Sequence, residues 1–185
     1  MPVMDIVHYG DPILRRKCSP VSNFSNLKSL VDDLFDSMYE AEGIGLAANQ
    51  VGIDMNLFVI HITDTDEDDT PRVFINGEII VSRGECDFPE GCLSIPQVSL
   101  DITRPETIIF RYQGLDEEWK EEEFNGLLGR AIQHEMDHLN GILIIDRVSS
   151  LEKMKINKEL KEIKRNADKK MSCLLYTSPR PRDRG

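Results

Sequence analysis

Apolar residues recur at helical spacing in "FSNLKSLVDDLFDSMYEAEG", where Leu27, Leu30, Val31, Leu34, Phe35 and Met38 fall on one face. Ser25 or Asn26 is placed to cap the start of this helix, and Gly43 to follow its end. The period then changes. "LFVIHIT" at 57–63, "VFINGEIIV" at 73–81 and "ETIIFRYQ" at 106–113 are apolar and β-branched with turn chemistry between them, which predicts strands. The run "DTDEDDT" at 64–70 reads as a solvated strand connection; a calcium loop would need a central Gly and a terminal Glu, and both are missing. A second helix is expected over about 126–139, capped by Asn125 and stopped at Asn140-Gly141. "ILIIDRV" after it reads as short and extended. A third helical pattern, Leu151, Met154, Leu160 and Ile163, covers 151–170, with charge on its outer face. Strands cluster between helices and do not alternate with them. The class is therefore α+β, with antiparallel strands packed around the central helix, an N-terminal helix and a C-terminal helix.

Length and composition narrow this to one domain. At 185 residues and 40% hydrophobic, the chain can bury a single core. The expected domain covers 1–172, with its core at about 4–150 and a basic C-terminal helix at about 151–170. The stretch "CLLYTSPRPRDRG" continues no pattern, so 173–185 reads as a non-native or disordered tail. No apolar run approaches the ~20 residues that span a bilayer. "MPVMDIVHYGDPIL" lacks the basic start and apolar core of a secretory signal. A cytoplasmic location follows as the expectation, with Cys18, Cys86, Cys92 and Cys173 as thiols or metal ligands. The net charge of −11 argues against direct reading of nucleic acid, but it is uneven. Residues 1–150 carry 11 Lys+Arg against 28 Asp+Glu, whereas 151–170 carry 8 against 4. Only that last segment could seek an anionic surface.

The chemistry concentrates in "GRAIQHEMDHLNG", Gly129 to Gly141. On a helix, residues i and i+4 share a face, so His134 and His138 can aim both imidazoles at one ion. Glu135 stands one step round, placed to reach a water on that ion; this is the HExxH arrangement of metal-assisted hydrolysis. Two solvated histidines on a surface helix would be the bland alternative. Four-coordinate catalytic sites take three protein ligands and keep one position open, so a third ligand is required. A downstream carboxylate, Glu152, Glu159 or Glu162, would make a zinc endopeptidase. The upstream candidate is Cys92 in "EGCLSIP", a rigid segment flanked by Pro89 and Pro96. Cys92 is the better candidate, because the helix stops at Asn140-Gly141 and the last helix is basic. A thiolate with two imidazoles suits Zn²⁺, Fe²⁺, Co²⁺ or Ni²⁺ over Mg²⁺ or Ca²⁺. In "EGIGLAANQ", Gly43 and Gly45 permit positive φ or close backbone approach, and Gln50 offers an amide donor.

"GIGLAANQ", "EGCLS" and "QHEMDH", in this order, resemble the three signature motifs of the peptide deformylases, and "IVHYGDPIL" is similar to that family's N-terminal segment. The likeness spans roughly 4–150. It implies a metal-dependent amidase that removes the N-formyl group from the initiator methionine of nascent chains and releases formate. It implies that Cys92, His134 and His138 bind one divalent metal, with Fe²⁺ the usual ion. A water on that metal attacks the formyl carbon, and Glu135 serves as general base and then acid. By the same resemblance, Gln50 and the backbone N–H of Leu93 stabilise the oxyanion. Ile44, Leu127 and Ala131 line a methionine pocket, Gly45 and Gly91 approach the peptide backbone, and Glu90 with Arg104 braces the cysteine loop. The basic 151–170 helix falls where some deformylases dock on the ribosome; a solvated charged face is the plain alternative. Two positions depart from the family pattern: Asn49, where "GLAAPQ" has Pro, and Gly77, where "INP" is common. They bear on loop stiffness. They also leave room for a binding module that has lost its metal.

Overall fold

The computed structural model describes residues 3–63 and 69–177. Seven strands and four helices form it: α1 (Leu27–Glu40), β1 (Gly45–Ala47), β2 (Leu57–Ile60), β3 (Arg72–Arg83), β4 (Cys86–Cys92), β5 (Ile95–Arg104), β6 (Thr107–Gln113), β7 (Trp119–Asn125), α2 (Gly126–Leu139), α3 (Ser150–Lys155) and α4 (Asn157–Thr177). Short 3-10 turns cover Pro12–Arg15, Ala48–Val51 and Ile144–Asp146. One antiparallel sheet has the order β1-β2-β3-β6-β7, and β4-β5 forms a separate hairpin. The fold is α+β with α2 at its centre, as the pattern implies.

Strand alternation explains the layering. β2 is buried along its whole length, so its two faces serve two cores. Phe58 and Ile60 join Phe74, Phe110, Tyr112 and Phe124 against Ile132, Met136 and Leu139 of α2. Leu57 and Val59 face the other way, onto Val31, Leu34 and Met38 of α1. A third cluster packs Val98, Leu100 and Ile102 of β5 onto Leu143, Ile144, Ile145 and Leu160. The helix that carries the HExxH pattern is thus enclosed by the sheet on one side and the hairpin on another.

Several local expectations change. Asn26 and Asn125 stand at the two helix starts, but neither side chain makes a capping bond; Asn26 instead takes a left-handed backbone, φ 66°. Glu42, not Gly43, takes the left-handed position after α1, with φ 58°. "LFVIHIT" is a strand only to Ile60. "ILIIDRV" is not extended: Asp146 accepts a hydrogen bond from Leu143 N and pairs with Arg15, which winds Ile144–Asp146 into a turn. The 151–170 helix breaks at Ile156, whose side chain packs on the third cluster, and α4 continues through Thr177. Of the expected 173–185 tail, 178–185 lie outside the described residues, as do 64–68 of the acidic run. No helix among the described residues is long and apolar enough to cross a membrane.

Candidate metal centre

Cys92 reaches the centre through a distortion of its hairpin. The β4-β5 ladder pairs Gly91 with Ser99 and then jumps to Cys92 with Ile95, leaving Pro96–Val98 as extra residues on β5, with Gln97 in the left-handed region at φ 64°. Such a bulge re-aims the side chains beside it. Here the thiol turns toward α2. Cys92 Sγ lies 3.2 Å from His138 Nε2, and His138 Nε2 lies 3.2 Å from His134 Nε2. All three atoms lie within 4.8 Å of one another, and they are the candidate metal-ligand cluster among the described residues. The edge of a nitrogen tetrahedron around an ion with bonds of ~2.0–2.1 Å is roughly 3.3 Å. The donors are therefore already spaced as ligands.

The electrostatics also favour a cation. Burial works to lower the His134 pKa, yet hydrogen bonds to Cys92 and Glu90 hold it well above the ordinary imidazole value. His138 is driven the other way, by burial and by the positive charges of His134 and Arg104. The two rings thus share one proton, which a metal ion would displace on binding. Glu90 lies 3.9 Å from His134 Nδ1. Burial would raise its pKa, but His134 and Arg104 bring it down to about 2, so it is a carboxylate behind the ligand. A carboxylate on the Nδ1 side of the ring leaves Nε2 as the atom that faces His138.

Glu135 occupies the adjoining position. Burial pushes its carboxyl up to about 7, and Oε2 is buried with no hydrogen-bond partner among the described residues. β1 passes directly over it: a methyl group at Gly45 would stand 2.7 Å from Glu135 Oε1. Gly45 therefore serves through close approach; neither it nor Gly43 has positive φ. Gln50 is buried, and its orientation is fixed. Its Oε1 accepts from Ala47 N at 3.0 Å, so Nε2 faces Ser94 Oγ at 3.2 Å and Cys92 Sγ at 3.8 Å. The N-terminal segment straps both loops: Val7 N donates to Gln50 O at 2.7 Å, and Tyr9 N to Ser94 O at 2.8 Å.

A pocket of about 540 Å³ opens above these groups. Ile44, Gly45, Gln50, Glu90, Gly91, Cys92, Leu93, Leu127, Ala131, His134 and Glu135 all border it. Arg104 lies behind, donating to both oxygens of Glu90. Sequence reasoning missed its second partner. Arg104 Nη1 donates to Asp137 Oδ2 at 2.8 Å, and Arg147 clamps the same carboxylate through two bonds. It also missed Phe88, which stands at the pocket edge with the Arg130 guanidinium over its ring. The proposed downstream ligands Glu152, Glu159 and Glu162 do not enter the cluster, which is completed by Cys92.

A cysteine sulfur and two imidazoles beside a buried carboxyl of raised pKa define a metallohydrolase type of site on an α+β scaffold. The comparisons make this particular. The family model described as polypeptide deformylase matches residues 3–154. A peptide deformylase of Acidobacterium capsulatum is 44% identical over 166 residues, covering 89% of this chain and 98% of that protein. The crystal structure of a Legionella pneumophila peptide deformylase superposes with a TM-score of 0.81 at 36% identity, covering 96% of this chain and all of that one. A Synechococcus elongatus peptide deformylase, solved with actinonin, gives 0.80 at 41% identity and 88% of each chain. The chain belongs to the polypeptide deformylase family, a family of metalloenzymes, and is an enzyme.

Proposed function

We propose that the protein removes the N-formyl group from the N-terminal formyl-methionine of nascent polypeptides, releasing formate and a free amine. The observation that carries this reading is the convergence of Cys92 Sγ with two Nε2 atoms, next to a carboxyl kept near neutrality. Cys92, His134 and His138 would hold one divalent ion, Fe²⁺ in the cell, with Zn²⁺, Ni²⁺ or Co²⁺ able to substitute. When bound, it supplies Lewis acidity to a water and to the formyl carbonyl.

The protein's own groups do the rest. β1 is an edge strand of the sheet and borders the pocket, so an extended peptide can pair with the backbone at Gly45 and pass Gly91 on the other side. Ile44, Leu127 and Ala131 offer apolar surface to the methionine side chain. Glu135 takes a proton from the attacking water at its unpartnered oxygen. It returns that proton to the amine nitrogen as the C–N bond breaks. A carboxyl with a pKa of about 7 can do both at neutral pH. Gln50 Nε2, held by its own Oε1 contact, and the Leu93 N–H meet the negative charge that develops on the formyl oxygen. The basic α4 is proposed in addition as a contact with the ribosome.

Formate release from formyl-Met-Ala-Ser by anaerobically purified protein tests the reading. Formate without internal cleavage is expected; cleavage of the unformylated peptide would indicate an endopeptidase instead. Neither metal nor turnover would leave a binding module. Cys92→Ala should lose the ion, and Cys92 is not a ligand if full metal content survives. Glu135→Gln should keep the ion and lose about 10²–10⁴ in kcat.

A further inference from the structure

Asn49 lies one residue before Gln50, in the 3-10 turn Ala48–Val51, and is completely buried. Its Nδ2 donates to the main-chain oxygen of His138 at 2.6 Å, across 89 residues of sequence. That oxygen is one of the last carbonyls of α2, where intrahelical partners run out. Its neighbours are served by backbone donors: Asn140 N reaches Met136 O, Ile142 N reaches Asp137 O, and Cys18 N reaches Leu139 O. At His138, Gly141 N supplies a 3.1 Å contact, and the shorter bond comes from Asn49. The amide stays there at a cost, because its own Oδ1 is buried with no partner among the described residues. A buried side chain that leaves one polar atom unsatisfied in order to satisfy another is specified by the bond it keeps.

That bond joins the two halves of the centre. On one side is a ligand whose Nδ1 edge has no anchor: His138 Nδ1 is buried without a partner among the described residues, whereas His134 has Glu90 behind it. On the other side is the segment that aims Gln50. We propose that Asn49 is a positioning residue, which holds the His138 end of α2 to the Gln50 turn and so sets the ligand ring and the amide donor in register. This rests on Cys92, His134 and His138 being the metal ligands, as in the function proposed above.

Thr and Val have nearly the same shape and differ in one hydroxyl, so the pair Asn49→Thr and Asn49→Val compares a side chain that keeps a polar hydrogen, one bond nearer the backbone, with one that has none. With Co²⁺ bound, the visible d–d bands report the ligand field directly. Asn49→Val should shift those bands and lower kcat about 10–100-fold, with KM for a formylated peptide little changed. Asn49→Thr should lie nearer the parent protein in both. Should Asn49→Val fold poorly, Asn49→Ala against Asn49→Thr gives the same comparison without added bulk. Spectra and kcat in Asn49→Val identical to those of the parent protein would overturn the proposal. The Co²⁺ spectra need no substrate. A protein that binds Co²⁺ but releases no formate would therefore sink the deformylase reading and still decide the role of Asn49.

Discussion

A methyl group added at Gly77 would lie 2.2 Å from Phe110 Cζ, overlapping the tip of the ring. The strand register slips between Ile75 and Glu78, and the aromatic ring of β6 fills the space above the glycine. Gly77→Ala should therefore cost about 1–3 kcal/mol through overpacking, read as a lower urea midpoint with an unchanged m-value. An unchanged midpoint would mean that Phe110 swings aside freely. Gly45 is constrained in the same way, but by Glu135. From sequence, a glycine signals either left-handed backbone or close approach, and the residues around it do not say which. Gly45 and Gly77 both turned on contacts with residues far along the chain. The signature residues were legible because their spacing on one helix is itself a geometry: His134 and His138 had to share a face. Asn49 was not, since nothing near it in sequence shows that its amide ends at His138.

Helix α2 was readable as a helix, but not as a buried one. Arg130, Gln133, Glu135, Asp137 and His138 are all buried, so its polar residues point into the protein. Each needs a partner at a distance. Arg130 donates to the carbonyl oxygens of Ile102 and Cys86, Gln133 to that of Pro105, and Asp137 accepts from Arg104 and Arg147. Arg104 is the hinge of this arrangement, 3% exposed and bonded to two carboxylates. Arg104→Ala would take from buried Glu90 the guanidinium that bonds both its oxygens, while Asp137 keeps Arg147, a loss of about 3–5 kcal/mol in denaturant unfolding. A loss below 1 kcal/mol would show that water reaches the gap. The β5 alternation of Val98, Leu100, Ile102 and Arg104 was present in the sequence, but Pro96 and Gln97 of the bulge interrupted its start. β7, "WKEEEFN", has no apolar alternation to find. Among the described residues it pairs only with β6, and its glutamates suit an outer edge that should not recruit another strand.

At the scale of the molecule, charge is divided between an acidic body and a basic final helix. Lys158 and Lys161 of α4 are exposed. If α4 meets ribosomal RNA, replacing both by Glu should abolish cosedimentation with ribosomes at low salt while formate release from a short peptide continues. Cosedimentation that survives the double change would assign the basic face to solvent. The sequence made this asymmetry plain, yet not that Ile156 splits the segment into two helices, because the break depends on Ile156 packing onto a core that α4 shares with β5. The first ten residues carry a consequence of another kind. By donating to Gln50 and Ser94 at once, Val7 and Tyr9 reinforce the direct Gln50–Ser94 contact that spaces the two loops. Proteolytic trimming past Tyr9 would leave every reactive group in place and still disarm the enzyme, as a vice does once its screw is withdrawn.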